Sequence, residues 1–463
     1  MNESIKNICK ERFYNKRVTV VGIGVSNIPL IDFLLSFGAK VTACDRKDLE
    51  KLGDIAQKLV NKGVNLSLGD AYIDNIEADF VFRSPGIRND IPPFLEAVQN
   101  GAVLCSEMEL FFELCPCKIV AVTGSDGKTT TTTIISELLK KQGYNVHLGG
   151  NIGNPLVPEI FDIKKNDFAV VELSSFQLIS MKNSPDVSVV TNVTPNHLDV
   201  HKDMQEYIDA KKNIVLYQNF ENRTVLNLAD EISSSFEKYT EAQVFKFSRT
   251  QKVTKGTYLE NGVICFTDGN VSEEVLDLKD IVIPGLHNVE NFMAAICAVK
   301  EFVNNDTIRY VARTFQGVAH RAQFVRELEG VRYYNDSIAS SPTRTARGML
   351  SLFEQKIILI CGGYDKNIPY EPLGPVICSK VKTLILIGKT APKIEAAVKS
   401  SENYAENSPE IYNAKTMEEA VNLAHSLSVS GDIVSLSPAS ASFDMYKDFE
   451  ARGNHFMSLV NSL

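Results

Sequence analysis

KIVAVTGSDGKTTTTTIISELLKKQG, residues 118–143, decides the fold. It reads as an apolar strand, a glycine loop, a helix and a glycine stop. In open parallel sheets, ligands gather where the carboxyl ends of strands meet such loops. Glycines let backbone N–H groups wrap a phosphate, and the following helix adds its positive end. Lys128 would neutralise β/γ-phosphate charge, and Thr129 could bind Mg²⁺. The gap from Gly124 to Gly127 is two residues shorter than the general GxxxxGK[ST] pattern. Five consecutive threonines, 129–133, make a poor helix start and ask for a reason.

The same strand–turn–helix grammar extends both ways. Upstream, KRVTVVGIG (16–24) predicts a buried strand, NIPLIDFLLSFG (27–38) a helix with a glycine stop, KVTACD (40–45) a second strand, and DFVFRSPG (79–86) a third ending in a Pro-Gly turn. Downstream, DFAVVELSS (167–175) and VSVVTNVT (187–194) are further apolar strands. Residues 250–285 alternate and carry N-G and D-G signals, which predicts a hairpin insert. GLHNVENFMAAICAVKEF (285–302) predicts an amphipathic helix. From about 318, VRYYNDS, KIILICGGYDK, TLILIGKTA and DIVSLSPASAS each end an apolar strand in small or polar residues. Strands alternating with helices imply parallel sheets. The expected architecture is α/β in three domains. A Rossmann-like domain spans 1–112, a central P-loop-type ATPase domain 113–317, and a second Rossmann-like domain 318–463.

Composition agrees. A chain of 463 residues is long for one core, and its 44% hydrophobic and 23% charged residues exclude a disordered, collagen-like or coiled-coil chain. The net charge of −9 argues against a nucleic-acid partner, while leaving room for a local anion pocket. No apolar stretch has the length of a membrane span, and MNESIKNICKERFYNKR lacks a secretory apolar region. A cytoplasmic protein without a membrane partner is expected. Of nine cysteines only Cys115 and Cys117 lie close, so reduced, mostly buried thiols are expected rather than zinc.

TGSDGKTT with its short spacing resembles the ATP loop of the Mur ligases and folylpolyglutamate synthetases. GGNIG (149–153), ELSSFQL (172–178) and SPASASFDMYKDFEARGNHF (437–456) match in the same order, with the closest likeness to the Mur ligases that add D-glutamate. The resemblance covers nearly the whole chain. It implies an ATP-dependent amide ligase joining D-glutamate to UDP-N-acetylmuramoyl-L-alanine through an acyl phosphate, with two Mg²⁺ ions, in peptidoglycan precursor synthesis. ATP would be bound by Gly124, Ser125, Asp126, Gly127, Lys128, Thr129 and Thr130.

Residue by residue, the resemblance carries further roles. Glu172 would hold Mg²⁺, a task that suits a carboxylate at a strand end, and His197 would sit at the second ion. Lys211, picked out by Tyr207 four residues before it, would be carbamylated and become an anionic ligand of that ion. Asn288 and Asn291 would contact adenine, His320 and Arg321 the nucleotide at the entry to the third domain, and Asp336 the ribose. The glutamate site would use Ser340, Lys366, Ser442 and Phe449. Two departures stand out here. Ile338 occupies a position where a lysine is expected, and Ser340 one where a threonine is usual. In the first domain GIGVSN (22–27) is half a dinucleotide fingerprint with Asn27 in place of the third glycine, and Asp45 follows Gly24 by 21 residues. An NAD site is the rival reading there. The resemblance instead implies a uridine diphosphate site at Val25, Ser26, Asp45, Ser84 and Gly86, with Arg46 and Lys47 near the diphosphate and Asn151 on the sugar side. A related ligase with another amino acid or a folate substrate, and a nucleotide-binding regulator without ligase activity, are the alternatives.

Overall fold

Three sheets carry the chain, and in each the parallel strands bring their carboxyl ends to a common edge. The computed structural model describes residues 2–195, 200–405 and 408–463; His197 lies outside them. The first sheet contains β1 (Arg17–Val21), β2 (Lys40–Asp45), β3 (Asn65–Leu68), β4 (Phe80–Arg83) and β5 (Val103–Cys105). Its order is β3-β2-β1-β4-β5, all parallel. The order reverses between β1 and β4, which opens a crevice above Gly22 and Ser84.

The second sheet has nine strands: β6 (Lys118–Thr123), β7 (Val146–Gly150), β8 (Phe168–Glu172), β9 (Val187–Val190), β10 (Arg223–Asn227), β11 (Gln243–Ser248), β12 (Gly256–Glu260), β13 (Val263–Thr267) and β14 (Ser272–Asp277). The order is β14-β13-β12-β11-β10-β9-β6-β8-β7. Strands β12, β13 and β14 pair antiparallel, which is the hairpin insert expected at 250–285. The central strand β6 lies between β8 and β9, in register Val122↔Glu172 and Thr123↔Val190. The loop after β6 therefore emerges beside Glu172 on one side and the 191–195 segment on the other.

The third sheet contains β15 (Gln323–Leu328), β16 (Val331–Asn335), β17 (Ile357–Cys361), β18 (Val381–Leu386), β19 (Glu410–Asn413) and β20 (Ile433–Leu436), in the order β15-β16-β20-β17-β18-β19. Only β15 runs antiparallel to its neighbour. By contacts the chain forms two compact units, Met1–Asp280 with Val289–Val311, and Ile281–Asn288 with Ala312–Leu463. The first unit holds the first two sheets. One continuous apolar cluster joins them, running from Phe13 and Phe82 to Leu156 and Leu226.

Two helices depart from simple expectation. The helix Lys128–Gln142 tolerates its threonines because they are used. Thr132 and Thr133 hydroxyls donate to the carbonyls of Lys128 and Thr129 at 2.8 Å, and buried Thr131 donates to Asn291 Oδ1 at 3.2 Å. The helix Leu286–Val299 is not amphipathic: Asn291 through Val299 are all buried. An apolar run of this kind sits inside the core and has no polar face to offer solvent.

Candidate active site

The glycine loop is held from below. Ser125 N–H donates to Asn192 O and Asp126 N–H to Asn192 Oδ1, both at 2.9 Å. Thr191 Oγ1 donates to Asp126 O at 2.6 Å. The Ser125 hydroxyl bonds Tyr207 OH at 2.9 Å and Thr194 O at 2.8 Å. Gly124 (φ 151°) and Gly127 (φ 79°) occupy conformations closed to most side chains. A Cβ on Gly124 would overlap Thr191 Oγ1, and one on Gly127 would strike Asn291 Oδ1. Asn291 thus packs directly behind the loop. Asn288 donates to Pro284 O at 2.6 Å.

Three charged side chains converge at this edge. Lys128 Nζ, at the first residue of the helix, donates to Gly124 O and Ser125 O at 2.9 Å. Lys211, buried in the helix Met204–Leu216, donates to the same Gly124 O at 2.8 Å and lies 4.6 Å from the Tyr207 ring centroid. Burial and the neighbouring Lys128 ammonium push the Lys211 amine well below the usual lysine range. Glu172, buried at the end of β8, accepts Asn151 Nδ2 at 2.9 Å through Oε1, while Oε2 is buried without a partner among the described residues. A buried carboxylate oxygen left open beside a phosphate loop fits a divalent cation. Thr129 is buried at the loop's helix end and would complete the set. Lys211 fits only in altered form, because an ammonium repels a cation while a carbamate supplies oxygen donors.

The first-domain candidates gather at the β1/β4 crevice. Asn27, in place of a third glycine, donates through Nδ2 to Gly22 O at 2.8 Å and Ser84 Oγ at 3.0 Å. It clips the two strand ends together. Asp45 accepts Ile23 N–H at 2.7 Å and Lys47 N–H at 2.9 Å. Its carboxylate is therefore a brace for the loop. Val25 is exposed, Ser26 flanks the helix Asn27–Ser36, and a Cβ on Gly86 would meet open space. Arg46 reaches Asp70 at 4.0 Å, with both side chains exposed.

In the second unit, Asp336, Ser340, Lys366 and Ser442 lie on loops after the neighbouring strands β16, β17 and β20, Phe449 opens the last helix, and His320 and Arg321 lie just before β15. Buried Asp336 accepts Ala322 N–H at 3.1 Å and Ser437 Oγ–H at 2.7 Å, and burial raises its carboxyl to about 7. His320 has φ 61° and accepts Asn335 Nδ2–H at Nδ1 (2.9 Å), while burial lowers its basicity. A Cβ on Gly453 would collide with that ring. Phe449, which opens the helix Phe449–Ser462, meets the His320 ring edge-on at 5.9 Å. Ser442 is buried, Ser340 half-buried, and Arg321 and Lys366 exposed.

Some residues of structural consequence carry no clear sequence signal. Buried Arg452 donates to Ser337 Oγ (3.0 Å), Ser337 O (2.8 Å) and Ala441 O (3.0 Å), lacing the β16 and β20 loops together. Arg83 and Arg88 reach from the first sheet to helices of the second. An arginine at a strand end, in the turn after it or within a helix reads in sequence as a surface charge, so only the fold exposes these three.

A phosphate loop beside an open buried carboxylate defines a nucleotide-using α/β enzyme. Comparison with known proteins narrows the class. Residues 16–106 match the Mur ligase MurD-like N-terminal domain, 122–299 the Mur ligase middle domain, and 320–440 the Mur ligase glutamate ligase domain. The chain is 52% identical over 466 residues, covering 100% of both, to UDP-N-acetylmuramoylalanine–D-glutamate ligase of Acetivibrio thermocellus. It is 50% identical to the protein of that name from Clostridium botulinum, covering 97% of both. Among solved structures, UDP-N-acetylmuramate-alanine ligase from Thermotoga maritima shares the fold at TM-score 0.56 and 18% identity, covering 97% of this chain and 100% of that one. A UDP-N-acetylmuramoyl-L-alanyl-D-glutamate–2,6-diaminopimelate ligase does so at TM-score 0.57 and 17% identity, covering 98% and 93%. The chain belongs to the Mur ligase family, the ATP-dependent ligases of peptidoglycan synthesis. No helix of the described residues is long and apolar enough to cross a membrane.

Proposed function

We propose that this enzyme joins D-glutamate to the alanine carboxylate of UDP-N-acetylmuramoyl-L-alanine at the expense of ATP, in the cytoplasm. One observation carries the reading: Lys128, Glu172 and Lys211 converge on one strand edge in a chain 52% identical, end to end, to a ligase of that name. UDP-binding falls to Val25, Ser26, Asp45, Ser84 and Gly86, with Asn151 toward the sugar. ATP falls to Gly124–Thr130, Asn288, Asn291, His320, Arg321 and Asp336, and D-glutamate to Ser340, Lys366, Ser442 and Phe449. The domain division at 112/113 and 317/318 belongs to the same proposal.

The alanine carboxylate oxygen attacks the γ-phosphorus, the bond to the bridging oxygen breaks, and ADP leaves. The D-glutamate amine then attacks the acyl carbon of the acyl phosphate. The tetrahedral intermediate expels phosphate, the amide remains, and the amine's proton passes to a base. A base or a desolvating pocket can serve, and His197 is one candidate, a role open to it only when its ring nitrogen is not on Mg²⁺. Lys128 already points its ammonium across the loop mouth, where it can trade two carbonyl partners for phosphate oxygens. Backbone N–H groups at the helix start, residues 127–130, would orient the phosphates without cost in side-chain entropy, since those of Ser125 and Asp126 are held by Asn192. Thr129, Glu172, His197 and a carbamylated Lys211 would hold two Mg²⁺ ions, which supply positive charge for the transferring phosphoryl group. The neutral state that burial favours at Lys211 is the state that adds carbon dioxide.

Phosphate release from ATP, with this acceptor and one amino acid at a time, tests the reading. Release only with D-glutamate, lost in Lys128→Ala, is the expected result. Release with another amino acid would move the specificity, and no acceptor-dependent release would end the proposal.

A further inference from the structure

The turn RSPGIR (83–88) leaves β4 at the first sheet's crevice, and an arginine stands at each end of it. Arg83 is 1% exposed. Its Nη1 donates to Ile87 O at 2.9 Å, inside the turn. Its Nη2 donates to Phe176 O at 3.0 Å and Ser180 Oγ at 2.8 Å, on and just beyond the short helix Ser175–Leu178 that follows Glu172. Arg88 uses all five N–H donors. Two go to Asp90 at 2.8 Å, two to Glu206 at 2.7 and 2.9 Å, and one more bond of 2.9 Å goes from Nη1 to Val200 O. Glu206 lies in the helix that carries Lys211, next to Tyr207, whose hydroxyl holds the glycine loop.

Burying a guanidinium costs more than packing an apolar side chain of similar size, so core stability alone does not account for Arg83. What an arginine adds is direction: its planar fork fixes two backbones relative to one another. Here both forks tie the turn after β4 to elements of the second sheet. One end of the turn is tied to the element after Glu172, the other to the helix bearing Lys211. The proposed acceptor spans that interval, with its nucleotide at the first sheet's crevice and its carboxylate at the phosphate loop.

We propose that Arg83 and Arg88 are positioning residues forming a clasp that sets the offset between the nucleotide pocket and the reacting centre, and so measures the acceptor's length. The inference rests on the function proposed above. It has a selective consequence, because Asn27 ties Ser84 to Gly22 independently of the clasp. Cutting the clasp leaves the nucleotide pocket whole and moves it relative to the catalytic edge.

The test is calorimetric binding of UDP alone and of UDP-N-acetylmuramoyl-L-alanine, with steady-state kinetics, on the full chain and on R88A, R88K and E206Q. Arg88 is only partly buried, so these variants avoid the folding risk of Arg83. In R88A and E206Q the affinity for UDP should stay within twofold. The acceptor's Kd and KM should rise about tenfold and kcat fall by a similar factor, as a misplacement on the order of 1 Å produces. The KM for ATP should hold, and R88K should recover only part of the loss, since lysine lacks the bidentate fork. Equal weakening of UDP and acceptor, or no change in either, would overturn the clasp. A parent enzyme that binds UDP but not the acceptor would remove the functional reading, and the clasp with it.

Discussion

Two ammonium groups on one carbonyl oxygen repel each other, yet Lys128 and Lys211 both donate to Gly124 O, at 2.9 and 2.8 Å. The conflict is relieved if buried Lys211 gives up its proton, and relieved further if carbon dioxide turns it into an anion. Turnover should therefore fall several-fold in buffer stripped of carbon dioxide and return with bicarbonate. In Lys211→Arg, where the guanidinium does not deprotonate, turnover should be low and indifferent to bicarbonate. A parent enzyme equally indifferent would remove the carbamate from the mechanism. Asp336 poses the opposite case. Burial raises its carboxyl to about 7, against about 3.9 in an unfolded chain. Between those values the folded state holds a proton that the unfolded state releases, so stability from this group is present at low pH and is lost as pH rises through 7. Asp336→Asn should match the parent's melting temperature near pH 4 and exceed it by several degrees at pH 8.5. A difference independent of pH would contradict the shift. Nucleotide affinity should fall in the same variant if the carboxylate meets ribose.

Elements were legible where chemistry and pattern coincided. KIVAVTGSDGKTT announces strand, loop and helix because a phosphate loop needs glycines at fixed places, and the structure shows why two of them resist substitution. Gly124→Ala puts a Cβ onto Thr191 Oγ1 at φ 151°, adding roughly 1–3 kcal/mol of strain. The expected outcome is a lower melting temperature and loss of ATP-dependent phosphate release. Wild-type turnover in that variant would mean the loop has slack that its anchors do not suggest. Other elements gave weaker signals. Strands β10 and β11 carry no candidate side chain, so nothing in a chemistry-led reading isolates them. Asn27 looks like a broken fingerprint in sequence, whereas its amide replaces the missing close approach by clipping Gly22 to Ser84. The helix Leu286–Val299 reads as amphipathic from its polar start, and its burial comes from neighbours distant in sequence. Arg83, Arg88 and Arg452 escape for that reason too, since each matters through partners about 90 to 120 residues away, or on a loop whose course only the fold sets.

At the scale of the molecule, sequence grammar divides the chain in three, but apolar packing divides it differently. The third sheet has a buried cluster on each face, one around Leu359, Leu384 and Met349, the other around Ile360, Val421 and Phe456. A sheet covered on both sides by its own helices has what an independent domain needs. The first sheet also has a buried cluster on each face, one around Val21, Val81 and Phe94, but the other does not close on its own helices. Phe33 stacks on Phe161 at 5.9 Å, Phe37 lies at the same distance from it, and the cluster around them continues into the second sheet. Arg83 adds a buried cation whose Nη2 partners, Phe176 O and Ser180 Oγ, lie beyond residue 112. Cutting the chain at 112/113 would expose those aromatics and strip the Nη2 partners from a guanidinium whose buried Nε already has none among the described residues, a penalty of several kcal/mol against a typical domain stability of about 5–15 kcal/mol. Residues 312–463 expressed alone should thus melt cooperatively with an α/β circular dichroism spectrum. Residues 1–112 alone should be insoluble or lack a cooperative transition, and residues 1–311 should restore it. A cooperative, soluble 1–112 would show that the shared cluster and the Arg83 contacts are dispensable for the first sheet, and that its fold rests on the strands and helices of its own segment.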